Sequence, residues 1–415
     1  MSIAACGFSG LPLSRCRPES NIMVIRRLPE DFNVEEILRA GVIEEAPLPP
    51  GGFDIYVVTK TTLTTPEAAA RLAKLLGLKP GVVGYAGLKD KHAVTRQHMS
   101  VPLLPGRRAD KPTIEAQGFH AVHAGFARSP LRSLDIAYNS FRIIIRECTR
   151  QDIGLLTQRG SSLLTPEGEL ECVNYFGEQR FGSARHGQGF VAARLIAGDF
   201  EGALRLAIGT PARKDSGSRR ALTRAAASHW GDWRAALAAC PPCPSRKALE
   251  VLGAGGTFQK AFVSLPYADQ EMFVDSYQSL IWNSIVATYV RSLGGALLES
   301  SNLKEDGLIF PAVAHDALDS ELDLPSPKMH VPARMRASAT KAFAVLGVVP
   351  DQLTIPGLRR PAFSPGKRAV VVKANQVTMA VQRDELAKTA RFTAVLTFTL
   401  PSGSYATVLL RLLGQ

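Results

Sequence analysis

GYAGLKDKHAVTRQ, residues 84–97, surrounds a single carboxylate, Asp90, with Lys89, Lys91, His92 and Arg96. Gly81, Gly84 and Gly87 mark bends ahead of it, and RQHMSVPL (96–103) leads away as a strand. Cations beside a carboxylate favour its charged form. An ionised acid suits a nucleophile or an electrostatic stabiliser and suits a proton donor badly. The same cations can hold phosphates on either side of an attacked residue, so Lys89, Lys91 and Arg96 are candidate RNA contacts. No further Asp, Glu or His accompanies Asp90 in ligand spacing, so no metal is expected. Alone, the stretch reads as a surface turn with local ion pairs of little energetic worth.

The chain around it supplies the context. Its 415 residues, 46% hydrophobic and 21% charged, suffice for two or three domains with proper cores. Lys and Arg number 49 against 37 acids, giving a net charge of +12 and a pI near 9.6. That surplus favours a polyanionic partner, nucleic acid ahead of an acidic membrane surface. No uncharged apolar run approaches the ~18–20 residues that span a bilayer. The N-terminus lacks a basic n-region, so residues 1–22 read as a disordered leader rather than a secretory signal. Six cysteines are too few for a disulfide framework, which points to the reducing cytoplasm. Cys240-Pro-Pro-Cys243 has no second C-x-x-C or His pair and reads as a Pro-rich loop, not a redox or zinc centre.

Along the chain, FDIYVVTK (53–60) reads as a strand, and Thr65-Pro66-Glu67 opens a helix with Thr65 as its cap. Leu72, Leu75 and Leu76 form its apolar face and Gly77 ends it. SFRIIIREC (140–148) is a second buried β segment. Helices are expected over 153–164, 186–197 and 199–208. Residues 210–224, with Arg213, Lys214, Arg219, Arg220 and Arg224 among Ser and Gly, read as a mobile basic loop. Phe273, Tyr277, Leu280, Ile281 and Ile285 fall at helical spacing as a buried stripe. AVVVKANQVTMAV (369–381) and FTAVLTFTL (392–400) return to strands, followed by a helix, YATVLLRLLG, with Ser404 as cap. Strand-rich ends around a helical middle predict an α+β catalytic domain interrupted by an insertion.

GYAGLKDKHAVTRQ resembles the G-x-K-D-x-x-A-x-T-x-Q signature of the TruD family of tRNA pseudouridine synthases. Three more segments resemble that family in the same order. RRLPEDFNVEE (26–36) is similar to its basic-x-x-P-x-D-F-x-V-x-E segment, and NYFGEQRFG (174–182) to its N-Y-F-G-x-Q-R-F-G. The third is LPSGSYAT (400–407), and Tyr277-Gln278-Ser279 with Asn283 resembles its inserted domain. The likeness runs from about residue 23 to 413 and thins at 101–135 and 210–260.

The resemblance implies a pseudouridine-synthase-like catalytic domain with a mixed or antiparallel sheet over 23–164 and 356–415. A mainly helical α/β TRUD-type domain would be inserted at 165–355. It implies that Asp90 is the nucleophile that attacks a uridine of tRNA, at position 13 as in the family. The base stays on the enzyme throughout, so no cofactor is implied, and the expected form is a cytoplasmic monomer without an obligate protein partner. Arg26 matches the family's basic residue beside that Asp, with Arg27 as a competing assignment. Phe32 matches the aromatic lining the uridine pocket. Asn139 and Phe141, in Tyr138-Asn139-Ser140-Phe141, match G-N-x-F, with Tyr138 departing from Gly; the amide would read the uracil edge and the ring would stack. Tyr405 falls where the family places Phe or Tyr near the substrate. NYFGEQRFG, including Arg180, suits either a loop touching unstacked nucleotides or a buried aromatic turn. The alternative to an enzyme is an RNA-binding or RNA-folding protein with little or no catalysis.

Overall fold

The computed structural model describes residues 23–46, 51–103, 112–182, 188–212, 215, 217–299, 308–312, 318 and 320–414. The expected leader, 1–22, lies outside the described residues. The first half is built of β1 (Val24–Ile25), β2 (Phe32–Leu38), β3 (Phe53–Thr61), α1 (Thr65–Leu75), β4 (Gly84–Tyr85) and β5 (Val94–Pro102). It continues through β6 (Thr113–Ala116), β7 (Phe119–Ala127), β8 (Ile136–Cys148), α2 (Arg150–Leu163) and β9 (Leu170–Val173). The helical middle comprises α3 (Val191–Ile196), α4 (Phe200–Ile208), α5 (Gly217–Ser228), α6 (Trp233–Ala239), α7 (Lys247–Gly253), α8 (Phe258–Val263) and α9 (Tyr267–Ser292). Then come β10 (Leu297–Glu299), β11 (Ile309–Pro311), β12 (Glu321–Asp323) and α10 (Arg336–Leu346). β13 (Lys367–Ala369), β14 (Val371–Arg383), β15 (Phe392–Leu400) and α11 (Ala406–Leu413) close the chain.

One mixed sheet organises these parts, in the order β6-β7-β3-β5-β2-β8-β15-β14-β9, with β1 against β8 and β4 against β5. Among the described strands only β2 and β5 pair in parallel, Asn33 opposite Val94. The C-terminal strands enter it where β15 runs antiparallel to β8, Leu400 opposite Asn139, so the two ends of the sequence meet at the centre. The α+β class with a mixed sheet is what the sequence leads one to expect.

Beneath one end of the sheet, α1 packs Leu72 against Tyr56, Val58 and Met99. Thr64, not Thr65, caps that helix, its hydroxyl accepting from the Glu67 amide at 3.2 Å while Glu67 Oε2 accepts from the Thr64 amide. This reciprocal arrangement satisfies two orphan donors and leaves the Thr65 hydroxyl free for other work. Gly77, at φ +67°, follows the helix in the left-handed conformation that glycine adopts without strain.

α9 runs 26 residues and buries most of its circumference, including Phe273, Tyr277, Ile281, Trp282 and Ile285. A helix buried on so many sides belongs at the centre of a domain, and its buried amides Gln270, Gln278 and Asn283 are each hydrogen-bonded to backbone. Its core is continuous with that of the sheet, from Phe32 and Ile143 through Tyr175 and Phe176 to Trp282 and Phe310. Among the described residues no helix is long and apolar enough to cross a membrane.

Three local expectations change. The basic segment is not a loop over its second half: α5 carries Arg219, Arg220 and Arg224 and buries Leu222, Thr223, Ala225 and Ala226. An Ala-rich stretch with Arg side chains on its outer face has high helix propensity, which the Ser/Gly flanks masked; Arg213 and Lys214 lie outside the described residues. The 186–197 helix begins only at Val191, after Gly189 at φ +96°. α11 starts at Ala406, and Tyr405 rather than Ser404 stands at its cap position, with no side-chain cap bond. Cys240 ends α6, and burial pushes its thiol up to about 11, so it stays protonated at neutral pH.

Candidate active site

Asp90 sits in the bend between β4 and β5, and the bend is clamped from below. Lys60 Nζ, on β3, donates to the Asp90 carbonyl at 2.8 Å and to the Leu63 carbonyl at 2.7 Å. Thr65 Oγ1 accepts from the Lys89 amide at 2.9 Å and donates to Gln97 Oε1 at 2.9 Å. Gln97 Nε2 in turn donates to the Gly87 carbonyl at 3.3 Å. Lys60 is fully buried. Burial lowers its ammonium to about 8, against the pull of Asp90 and Glu67.

The Asp90 carboxylate itself faces two side chains. Arg26 Nη2 donates to Oδ2 at 2.8 Å, and Gln179 Nε2 lies 3.0 and 3.1 Å from Oδ1 and Oδ2. The pair remains reachable, with 23% of the Arg26 and 29% of the Asp90 side chain exposed. Arg26 holds φ at +63°, a region uncommon for a residue with a side chain. The following turn explains how it is kept there. Asp31 Oδ2 accepts from the Leu28 amide at 2.9 Å, and Arg146 Nη2 lies 2.6 Å from Asp31 Oδ1. Arg146 also reaches Asp384 at 3.3 Å, and the Asp31 bond holds its guanidinium above the usual value. Arg27 turns away to Glu147, 2.6 Å distant, so Arg26 is the one of the two arginines that lies beside Asp90.

The contacts from Asp90 close into a ring. The Arg26 guanidinium lies 4.0 Å from the centre of the Phe32 ring. Phe32 meets Phe141 edge-on at 6.3 Å, and Phe141 stacks on Phe398 at 5.3 Å. Two residues before Phe141 on the same strand face, Asn139 Oδ1 accepts from Lys89 Nζ at 2.7 Å. Lys89 precedes Asp90, which completes the circuit. Phe32 and Phe141 are 1% and 8% exposed, so they form the floor of this ring rather than open stacking faces.

The four expected RNA-contacting residues sit differently. The Lys89 ammonium is enclosed, 2.8 Å from the fully buried Glu36, and it supports the site rather than pointing outward. Burial opposes charge on Glu36, but bonds from His98 and Lys89 outweigh it and hold the carboxyl below its ordinary value. Arg96 pairs with Glu35. Successive strand residues face opposite ways, so Arg96 lies across the sheet from Asn139, and its sequence proximity to Asp90 misleads. Lys91 is half-exposed, 3.7 Å from Glu67. Arg180 bonds Asp275 at 2.8 Å and Ser279 at 3.2 Å, beside the Phe176 ring.

NYFGEQRFG is a buried aromatic turn as far as Gly177, then surfaces. Tyr175 donates to the Ile309 carbonyl at 2.8 Å, and Asn283 exchanges two 2.9 Å bonds with the Phe176 backbone. A Cβ on Gly177 would stand 2.9 Å from the Tyr405 ring, so only glycine permits this approach. Arg368, over the Phe176 ring at 4.1 Å, also fastens Asn174 with bonds of 2.8 and 2.6 Å. Tyr405 packs on Phe176 at 6.2 Å, and burial raises its phenol. The result delivers exposed Gln179 to Asp90. Gln179, Glu36 and Lys60 were not legible as site residues, although the first two stand inside quoted motifs; the charge of Arg180 outshone its neutral neighbour. Among the described residues no cluster of His, Cys, Asp or Glu could hold a metal.

Residues 18–314 match the family of tRNA pseudouridine synthase D (TruD). The chain is 30% identical to a tRNA pseudouridine synthase D of Aquifex aeolicus over 93% of its own length and 97% of that protein's. A probable tRNA pseudouridine synthase D of Halobacterium salinarum is also 30% identical, over 93% and 92% of the two chains. The crystal structure of a TruD-type protein from Methanosarcina mazei shares the fold, with a TM-score of 0.66, 23% identity and coverage of 94% and 93%. With its motifs in the same order and its length matched almost end to end, the chain belongs to the TruD family of tRNA pseudouridine synthases.

Proposed function

We propose that this pseudouridine synthase isomerises a uridine of tRNA, at position 13, with Asp90 as nucleophile. The observation that carries this reading is the Asp90 carboxylate, oriented by Arg26 and Gln179 yet left 29% exposed in a ring of aromatic and amide side chains. The names of the relatives supply tRNA as substrate, and the net charge of +12 suits a polyanion.

The chemistry is a rearrangement with no net change in atoms. Asp90 bonds covalently to the uridine, the N1–C1′ bond breaks, and the base turns in the pocket. C5 joins C1′, the Asp90 bond is released, C5 loses its proton and N1 gains one. Arg26 keeps a cation beside the carboxylate while it is uncommitted, and Gln179 fixes its rotation. Extraction of the nucleotide from its stack precedes these steps. On this reading the strand-rich segments 23–164 and 356–415 form the catalytic domain, and 165–355 is the inserted domain, from which Gln179 reaches Asp90. The enzyme works in the cytoplasm as a monomer and without a cofactor, because the base never leaves it.

The test is purified protein with unmodified tRNA transcript and base-resolved mapping of pseudouridine. Wild type should modify one uridine and Asp90→Asn none, with tRNA binding retained. Product from the Asn variant would remove Asp90 as nucleophile, and tRNA binding without product from wild type would favour a non-catalytic RNA-binding role.

A further inference from the structure

An ammonium group has donors only. The Asn139 atom 2.7 Å from Lys89 Nζ must therefore be the amide oxygen, which fixes the orientation of the amide. The Asn139 amino group is then turned away from Lys89, and among the described residues it donates to nothing. Asn139 keeps 9% of its surface exposed, and it lies on the same strand face as Phe141, within the ring that encloses the Asp90 carboxylate.

Lys89 cannot easily release this orientation. Its ammonium lies 2.8 Å from Glu36 Oε2, the Lys89 side chain is 7% exposed, and the Glu36 side chain is fully buried. Glu36 Oε1 accepts from the His98 amide at 3.0 Å, so the carboxylate is fixed from a second strand. Turning Asn139 over would set its amino group against the ammonium, donor against donor, in a site with little water. A buried charge pair thus sets the polarity of an amide in the ring around Asp90.

We propose that the Glu36–Lys89 pair makes the pocket select uracil over cytosine, by locking Asn139 with its amino group toward O4 of the base. This rests on the pseudouridine-synthase reading above. Uracil presents a carbonyl at that position and cytosine an amino group, so cytosine would bring two donors face to face. Lys89 and Glu36 are positioning residues, and Asn139 is the one that meets the base.

The experiment uses tRNA transcripts carrying U or C at the modified position mapped for wild type, bound to full-length protein made inactive by Asp90→Asn. That protein should prefer U by about tenfold or more, one hydrogen bond exchanged for a donor–donor clash. Adding Glu36→Gln and Lys89→Met together removes both buried charges without leaving either orphaned, and the preference should fall below about twofold while phosphate-driven affinity stays. Asn139→Asp, which still accepts from Lys89 but offers the base no donor, should lose the preference equally and serves if the double variant does not fold. An undiminished preference for U in either folded variant, or equal binding of U and C by the Asp90→Asn protein, would overturn the inference while leaving the enzyme reading intact. Absence of pseudouridine with wild type would remove both.

Discussion

Two arginine–carboxylate contacts grow from one short stretch of chain, built in opposite ways. Arg26 meets Asp90 at 2.8 Å with about a quarter of each side chain open to solvent. Five residues on, Asp31 meets Arg146, which meets Asp384; both carboxylates are sealed and the guanidinium is 12% exposed. The sealed triad is finished with neutral donors, the Leu28 amide on Asp31 and the Glu147 amide on Asp384 at 2.9 Å each. Among the described residues, the open Asp90 carboxylate has the exposed Gln179 amide as its one side-chain donor besides Arg26. The same residue types therefore form a fastening where every carboxylate oxygen accepts a bond in a sealed setting, and a reachable pair where one face is left free. The fastening is what holds the strained Arg26 backbone beside Asp90.

That contrast is breakable from either side, and the larger effect belongs to the sealed triad. Arg146→Met should lower unfolding free energy by about 3–5 kcal/mol, because two buried carboxylates lose their shared cation. Thermal unfolding checks this, and a melting temperature within error of wild type would show that the triad is not structural. Arg26→Gln should leave the melting temperature alone and cut turnover by about 10²–10³, the loss typical of one charged partner at a reacting centre. If the Arg26 variant instead unfolded and the Arg146 variant stayed folded but inactive, the two roles would have been assigned the wrong way round.

How far the sequence foretold this depends on what kind of signal each residue left. The sheet was legible because its strands alternate or run apolar over lengths that only a strand accommodates, as in 140–148 and 392–400. Asp90 and Arg26 stood out as charges in recognisable motifs, and the geometry joins them. Lys89 and Arg96 looked equivalent beside Asp90. Their fates diverge because Glu36 and Glu35 face opposite sides of β2, which charge counting ignores. Gln179 and Lys60 reach Asp90 from 89 and 30 residues away, contacts that exist only once β9, β3 and the Asp90 bend have come together. The cap of α1 shifted by one residue, a small miss by the usual standard of helix ends. It mattered because the freed Thr65 hydroxyl holds the Lys89 amide.

The smallest effect concerns Lys60, which touches Asp90 only through its backbone carbonyl. Its ammonium is lowered by burial from 10.5 to about 8, with Asp90 and Glu67 acting to raise it and Lys89 to lower it. As pH rises through about 8, the group loses a proton in the folded protein, and a charge-assisted bond to the Asp90 bend becomes an ordinary one. Turnover should decline by about fivefold across that limb, the difference between a charged and a neutral hydrogen bond. Stability moves the other way. Between about 8 and 10.5 the unfolded lysine carries more proton than the folded one, so the Lys60 contribution to stability increases with pH over that window. A falling rate in a chain that this residue is not unfolding therefore separates positioning from denaturation. Lys60→Met should show a lower rate without the limb. A limb that persists unchanged in Lys60→Met would assign it to another group, and would leave the open pair dependent on Arg26 and Gln179 alone.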